Sequence, residues 1–336
     1  MDRLKSSPGL LRRSLGWVLY VGFILIVAAA TAWAGLAIYI QLTGGWQIAA
    51  WGLLGLAFVT ALVLRWFNRR AGWAVALVAA LVVGVWYQTI QPRQDRDWAA
   101  DVAHGVSSVI DGNHVTLQNV RNFDWTTGSD AVEHWESRSY DLRQMATVDM
   151  ITSTWGDPNI AHLIVSFGFD DGQRLGFSVE IRKEKGESFS ALGGFFRQFE
   201  MVLIAADEND VVRVRTNRRG EDVHLFSVKL KPEQMRTLFL SYLGLANRLA
   251  ETPVFYNTIT ANCTSTVYGL VQVIKPDMPL DRRLVFSGLL PEYIDELGGL
   301  PGDMPMAERR AEAAISARAL AVPDGADYSI WVRTRS

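Results

Sequence analysis

The sequence predicts an α+β domain carried behind three transmembrane helices, and three observations support it. Long apolar runs with almost no charge fill the chain up to residue 89, whereas the remainder reads like an ordinary soluble protein. Two strand-like segments meet at an Asp-Asp-Gly turn, as in a β-hairpin. Two segments with apolar residues at helical spacing flank the single cysteine of the 336-residue chain.

The spans come first. Residues 16–40, 47–67 and 72–89 contain no charge except Arg65, near the end of the second. The first two are long enough to cross a hydrocarbon core of about 30 Å, and the third just reaches that length. The first run is too long for the apolar region of a signal peptide, and the Thr43-Gly44-Gly45 turn leads directly into another span. Basic residues set the orientation. Arg3, Lys5, Arg12 and Arg13 hold the N-terminus in the cytoplasm of a bacterium, and Arg65, Arg69 and Arg70 mark the next cytoplasmic loop. Three crossings of the inner (plasma) membrane then place everything after Gln91 in the periplasm. Trp17, Trp46, Trp66, Trp73 and Trp86 lie toward span ends, where amphipathic rings sit at the headgroup level. The resulting division is an anchor at 1–90, a polar linker or stalk at 91–110, a domain at 111–280, and a C-terminal helical extension and tail at 281–336.

Charge divides along the same line. Asp2 is the only acid before residue 91, yet the whole chain has a net charge of −2, so the later part is acidic. An acidic domain without a basic stripe is not a nucleic-acid binder.

The lone thiol gains meaning from this placement, because an oxidising compartment rewards paired cysteines. Cys263 is either a buried small hydrophobe or a nucleophile that must stay unpaired. Its surroundings favour the nucleophile. Residues 232–252 read as a helix with Pro232 in its first turn and Met235, Leu238, Phe239, Tyr242, Leu243, Ala246 and Leu249 on one face; Pro253 stops it. Val267, Leu270, Val271 and Ile274 then mark a second helix, with Cys263 at its N-terminus in an Asn/Thr/Ser setting. Unsatisfied N–H groups and the positive end of the helix dipole favour thiolate there.

A thiolate doing acyl chemistry needs a base. His104 and His114 precede the core pattern, His134 lies in an acidic segment, and His224 lies on a strand-like run at 222–229. His162 differs, because it opens the strand 161–169 that turns through Asp170-Asp171-Gly172 into a second strand at 173–184. A three-residue loop with Gly172 in the left-handed conformation pairs Phe169 with Gln173, and hence His162 with Glu180 on one face. A two-residue loop would put them on opposite faces. In the first register a carboxylate orients the imidazole, as in a Cys-His-acid constellation.

Fewer signals come from the rest. Residues 211–219 read as a basic strand or hairpin arm at a solvated edge, with a grip on lipid phosphates as the sharper alternative. Residues 307–320 read as an Ala-rich charged helix. The chain has no zinc spacing and no Gly-rich phosphate loop, so no metal or organic cofactor is implied.

Taken in order, Arg121-Asn-Phe-Asp-Trp125, His162 with Ser166-Phe-Gly-Phe169, Ser178-Val-Glu-Ile-Arg182, Tyr256-Asn257 and Asn262-Cys-Thr264 form a pattern. It resembles the DUF4105 family, also called the Lnb N-terminal periplasmic domain after a bacterial lipoprotein N-acyltransferase, over residues 111–276. That family is similar to circularly permuted NlpC/P60-like thiol enzymes, in which a strand His precedes a helix-start Cys. The resemblance implies a papain-like, permuted NlpC/P60-type domain with Cys263 as nucleophile, His162 as base and Glu180 as third member. It also implies Tyr256, Asn257 and Asn262 as substrate or oxyanion contacts, with Ser178 and Arg182 of the same motifs as further substrate-binding residues. The namesake's membrane helices follow its catalytic domain, whereas here three precede it.

The expected function is thiol-dependent acyl transfer or acyl hydrolysis. Three spans exceed what a soluble substrate requires, so the expected partners are a membrane lipid, such as a phospholipid ester, and a lipoprotein N-terminus. A cysteine peptidase or amidase acting on cell-wall peptides is the alternative enzyme. A non-catalytic binding or scaffold module is the alternative from another class.

Overall fold

The computed structural model describes residues 8–334, with side chains from residue 15 onward. Arg3 and Lys5, and the side chains of Arg12 and Arg13, which set the expected orientation, lie outside the described residues. The chain divides into two units, one comprising residues up to Gln91 with Phe196–Gln198, the other Pro92–Phe195 with Phe199 onward.

The first unit contains α1 (Pro8–Gln41), α2 (Gly44–Phe67) and α3 (Arg69–Thr89), the three expected spans. Each is long and apolar enough to cross a membrane, and large apolar side chains such as Leu25, Leu53, Leu56 and Leu81 stay exposed on them, as helices solvated by lipid require. Between α2 and α3, Asn68 caps α3 by accepting the N–H groups of Arg70 and Ala71. Gly72 then meets the Arg65 backbone so closely that a Cβ would collide with it.

The second unit is α+β. Its strands are β1 (Ser107–Asp111), β2 (His114–Arg121), the short pair β3 (Asp124–Trp125) and β4 (Ala131–Val132), β5 (Trp135–Asp141), β6 (Met145–Thr154), β7 (Ala161–Phe169), β8 (Arg174–Arg182), β9 (Glu200–Ala206) and β10 (Asp222–Ser227). The main sheet runs β1-β2-β9-β8-β7-β6-β10, with β5 also on β2. Neighbours are antiparallel except β2 and β9. The helices α4 (Ala191–Phe195), α5 (Glu208–Val211), α6 (Pro232–Glu251), α7 (Cys263–Val271), α8 (Leu290–Glu296), α9 (Met306–Ala313), α10 (Ser316–Leu320) and α11 (Tyr328–Trp331) complete it.

Side-chain alternation on β7 gives the sheet two covered faces. Leu163, Val165, Phe167 and Phe169 join the larger core, against the α6 residues Met235, Leu238, Phe239, Tyr242 and Leu243. Ile164 joins a second core with Ile151, Ile204, Val211, Val223, Ala319 and Tyr328. The strand is buried along its whole length because it is central and covered on both sides.

The β7–β8 hairpin adopts the three-residue register. Phe169 N–H donates to Gln173 O at 3.0 Å, Gly172 N–H donates to Phe169 O at 3.0 Å, and Gly172 has φ 89°. The ladder pairs Ile164 with Ser178 and Gly168 with Arg174. That register sets His162 opposite Glu180.

Several expectations need correction. Residues 92–110 are tied into the domain rather than strung out as a stalk: β1 pairs with β2, and Arg93 N–H donates to Glu200 Oε1 at 2.8 Å. Residues 211–219 form no strand. Asp207 caps α5, buried Val211, Val212 and Val214 hold the segment inward, and a π-helical turn spans Val214–Arg218. The helix expected at 307–320 breaks into α9 and α10, because Ile315 N–H is drawn to Val223 O at 2.9 Å and Ala314 bridges to His224 on β10. Residues 281–334 also belong to the same unit. Arg333 bonds Glu208 Oε1 at 2.6 Å and Asp149 Oδ2 at 2.7 Å, clipping the C-terminal segment to the sheet.

Candidate active site

Cys263 is the first residue of α7. The start is fixed by Asn262, whose Oδ1 accepts the N–H groups of Thr264 at 2.9 Å and Ser265 at 2.8 Å, while Asn262 N–H donates to Ser265 Oγ at 2.9 Å. This reciprocal capping box ends the preceding turn and turns the thiol toward β7.

His162 is the second residue of β7 and is buried. Its Nε2 lies 2.6 Å from Ser178 Oγ and 3.1 Å from Glu180 Oε1, and Ser178 Oγ donates to the same Oε1 at 2.7 Å. The proton of Nε2 therefore points at the Ser178–Glu180 pair, which leaves Nδ1 as the nitrogen that meets the thiol. The loop before His162 is clamped by Ser287, whose Oγ donates to Ala161 O at 2.6 Å and accepts Ala161 N–H at 2.9 Å.

Electrostatics reinforce the pairing. Burial disfavours the imidazolium, but the Glu180 carboxylate and a hydrogen bond with Cys263 outweigh it and raise the His162 pKa to about 9. Burial pushes the Cys263 thiol up, yet its hydrogen bond and charge interaction with His162, with help from Leu163 N–H and the Thr264 hydroxyl, hold it below its ordinary value. Burial likewise opposes ionisation of Glu180, and His162, Arg215 and Ser178 hold it well below the usual carboxylate range. Thiolate and imidazolium thus stabilise each other, the state in which a cysteine attacks carbonyl carbon.

The three residues line a pocket of about 460 Å³. Trp155, Ile160, Phe189, Ile259 and Val285 also line it, from four separate loops, and Trp155, Phe189 and Ile259 are 50%, 55% and 51% exposed. These large apolar side chains give the pocket an apolar rim open to water.

The expected substrate contacts divide. Tyr256 lines the pocket, and its hydroxyl meets the backbone N–H of Cys263. Ser178 is bound to His162 and Glu180 and positions them rather than facing substrate. Asn262 is spent on the helix cap and on Thr258 O, which its Nδ2 reaches at 2.8 Å. Asn257 accepts Ile259 N–H and Thr260 N–H at 3.0 Å, fixing the 257–261 turn. Arg182 lies outside the pocket; its guanidinium stacks over Trp98 at 4.5 Å and donates to Val102 O and Ala103 O. Asn257 and Arg182 are therefore corrected from substrate contacts to structural residues, whereas Asn262, though its side chain serves the cap, also lines the pocket. The helix-start N–H groups of Thr264 and Ser265 are likewise already taken by Asn262.

Two features were not anticipated. Arg215, from the segment expected as a solvated edge, is buried and places Nη2 3.2 Å from Glu180 Oε1 and Nη1 3.1 Å from Glu221 Oε2. The Arg121-Asn-Phe-Asp-Trp125 motif forms a pocket wall: Arg121 grips Asp210 at 2.8 and 2.9 Å, and Trp125 Nε1 donates to Asp210 Oδ1 at 2.7 Å. Among the described residues no His/Cys/Asp/Glu cluster suits a metal ion.

Residues 131–289 match the family model described as the Lnb N-terminal periplasmic domain, the family that the sequence motifs resemble. The matched stretch contains His162, Glu180 and Cys263. No curated protein and no solved structure matches the chain. With its three apolar helices, the chain is a membrane protein with a periplasmic domain.

Proposed function

We propose that the domain is a thiol acyltransferase or acyl hydrolase of the bacterial inner membrane, built as a permuted NlpC/P60-like enzyme with its N-terminus in the cytoplasm. The observation that carries this reading is the Cys263 thiol at a helix start, paired with an imidazole whose far nitrogen is held by Glu180. Cys263 thiolate adds to an ester or amide carbonyl, and the oxygen takes the electron pair. Tyr256, whose hydroxyl lies against the backbone N–H of Cys263 beside the thiol, is the donor offered to that oxyanion. Collapse forms the thioester and breaks the bond to the leaving alcohol or amine, which takes the imidazolium proton from His162. His162 then takes a proton from the acceptor, an amine or water, as it attacks the thioester and frees the thiol.

The apolar mouth supports a lipid substrate: a phospholipid ester or a lipoprotein N-terminus presents acyl chains to Trp155, Phe189 and Ile259. Transfer and hydrolysis share the first half-reaction and differ in the acceptor alone. An acyl-phosphonate probe applied to intact membranes tests the reading. Capture at Cys263, lost on Cys263→Ser, is the expected result. Equal capture of wild type and Cys263→Ser would leave a non-catalytic binding module as the better description.

A further inference from the structure

Three donors converge on one carboxylate oxygen beneath the imidazole. His162 Nε2 is 3.1 Å from Glu180 Oε1, Ser178 Oγ donates to it at 2.7 Å, and Arg215 Nη2 donates to it at 3.2 Å. Arg215 also bonds Glu221 through Nη1 at 3.1 Å, and Glu221 accepts from the Ser153 hydroxyl on β6. Arg215, Glu221 and Ser153 are all buried, so this chain of charges is little screened by water. A planar guanidinium can bridge two carboxylates in this way, which a lysine cannot do with equal geometry.

We propose that Arg215 is a positioning residue of this site: by sharing Glu180 Oε1 with His162 and anchoring it to Glu221, it fixes the carboxylate under the imidazole and limits how tightly that carboxylate retains the ring proton. The inference rests on the thiol-enzyme reading above. An imidazolium held too strongly is a poor acid toward the leaving group, so a competing cation on the same oxygen keeps the proton transferable. The other groups facing the pair are Ser178 from β8, Cys263 from α7, Tyr256 from the segment before it, and, at longer range, Arg121 from β2 and Arg219 beyond the π turn. Arg215 lowers the His162 pKa against the pull of Glu180, in the direction this geometry requires.

The test is the pH dependence of Cys263 alkylation by iodoacetamide in the full chain, where it is the only thiol. Wild type shows two steps, one where the thiolate–imidazolium pair forms and one where the imidazolium loses its proton. Arg215→Met moves the upper step to higher pH by about half a unit or more, because Glu180 then acts on the imidazolium uncompensated. Arg215→Lys keeps the charge and leaves the upper step near its wild-type position. Arg215→Met combined with Glu221→Gln repeats the upward shift without stranding a buried acid, which separates the effect from misfolding. An upper step that stays put or falls in both methionine variants overturns the inference while leaving the enzyme reading intact. A single step at an ordinary thiol pKa in wild type overturns both.

Discussion

His162 and Glu180 face each other across the β7–β8 hairpin with Nε2 3.1 Å from Oε1, a pairing set by the three-residue turn at Gly172. Probe capture at Cys263 should therefore depend on both, to different degrees. His162→Ala removes the proton acceptor and the charge that lowers the thiol pKa, and should nearly abolish capture. Glu180→Gln keeps the shape and removes the charge that orients the imidazolium, and should cost roughly 10²–10⁴-fold. Second-order capture rates measure both; Glu180→Gln at the wild-type rate would contradict the assigned role.

Asn262 should behave as a helix cap. Asn262→Ala removes the acceptor for Thr264 N–H and Ser265 N–H and is expected to cost about 1 kcal/mol of stability, whereas Asn262→Asp or Asn262→Ser should keep most of it. Thermal unfolding of the full chain measures this. An alanine variant with unchanged stability and only weakened substrate binding would return Asn262 to the substrate.

The Arg333 clip should make stability depend on pH. Burial tends to raise the Glu208 pKa, but Arg333 and Ser166 hold it below its ordinary 4.5. A folded value below the unfolded one adds stability that is present above the unfolded pKa and lost as pH falls through the folded one. Wild-type Tm should therefore drop on acidification below about pH 4.5. Arg333→Met strands Glu208 and Asp149 and should cost roughly 3–5 kcal/mol near neutral pH. With burial then dominant, the Glu208 pKa rises above the unfolded value, so the variant's deficit should shrink as pH falls. A deficit that is constant between about pH 7 and pH 4 would contradict this.

The elements legible in the sequence were those specified by neighbours along the chain. The Asp170-Asp171-Gly172 turn sets its own register, and the apolar stripe from Met235 to Leu249 locates α6 without reference to the rest of the fold. Cys263 at a helix start was legible because Val267, Leu270, Val271 and Ile274 keep helical spacing just after it, behind an Asn/Thr/Ser stretch. Arg215 was not legible: its partner Glu180 lies 35 residues away, and a basic run looks solvated until Val211, Val212 and Val214 turn it inward. Arg182 shares the face of Glu180 on β8, yet it is captured by Trp98 from a stretch that reads as a linker. In each case a long-range partner decided the outcome, and local pattern carries no record of it.

Orientation in the membrane is checked with fusions. A reporter active only in the periplasm, joined after the C-terminus, should work, and one active only in the cytoplasm should be silent. The reverse pattern would contradict both the topology and the argument from an unpaired cysteine in an oxidising space.

The central claim is that Cys263 carries an acyl group. The most direct measurement is mass spectrometry of the full chain after incubation with bilayers of a phospholipid bearing an isotopically marked acyl chain. The account predicts a mass increment of that chain on the Cys263 peptide, removed by neutral hydroxylamine, absent in Cys263→Ser and accumulating when the acceptor is withheld. An unmodified Cys263 in membranes where the marked lipid is consumed, or the same increment in Cys263→Ser, would contradict it.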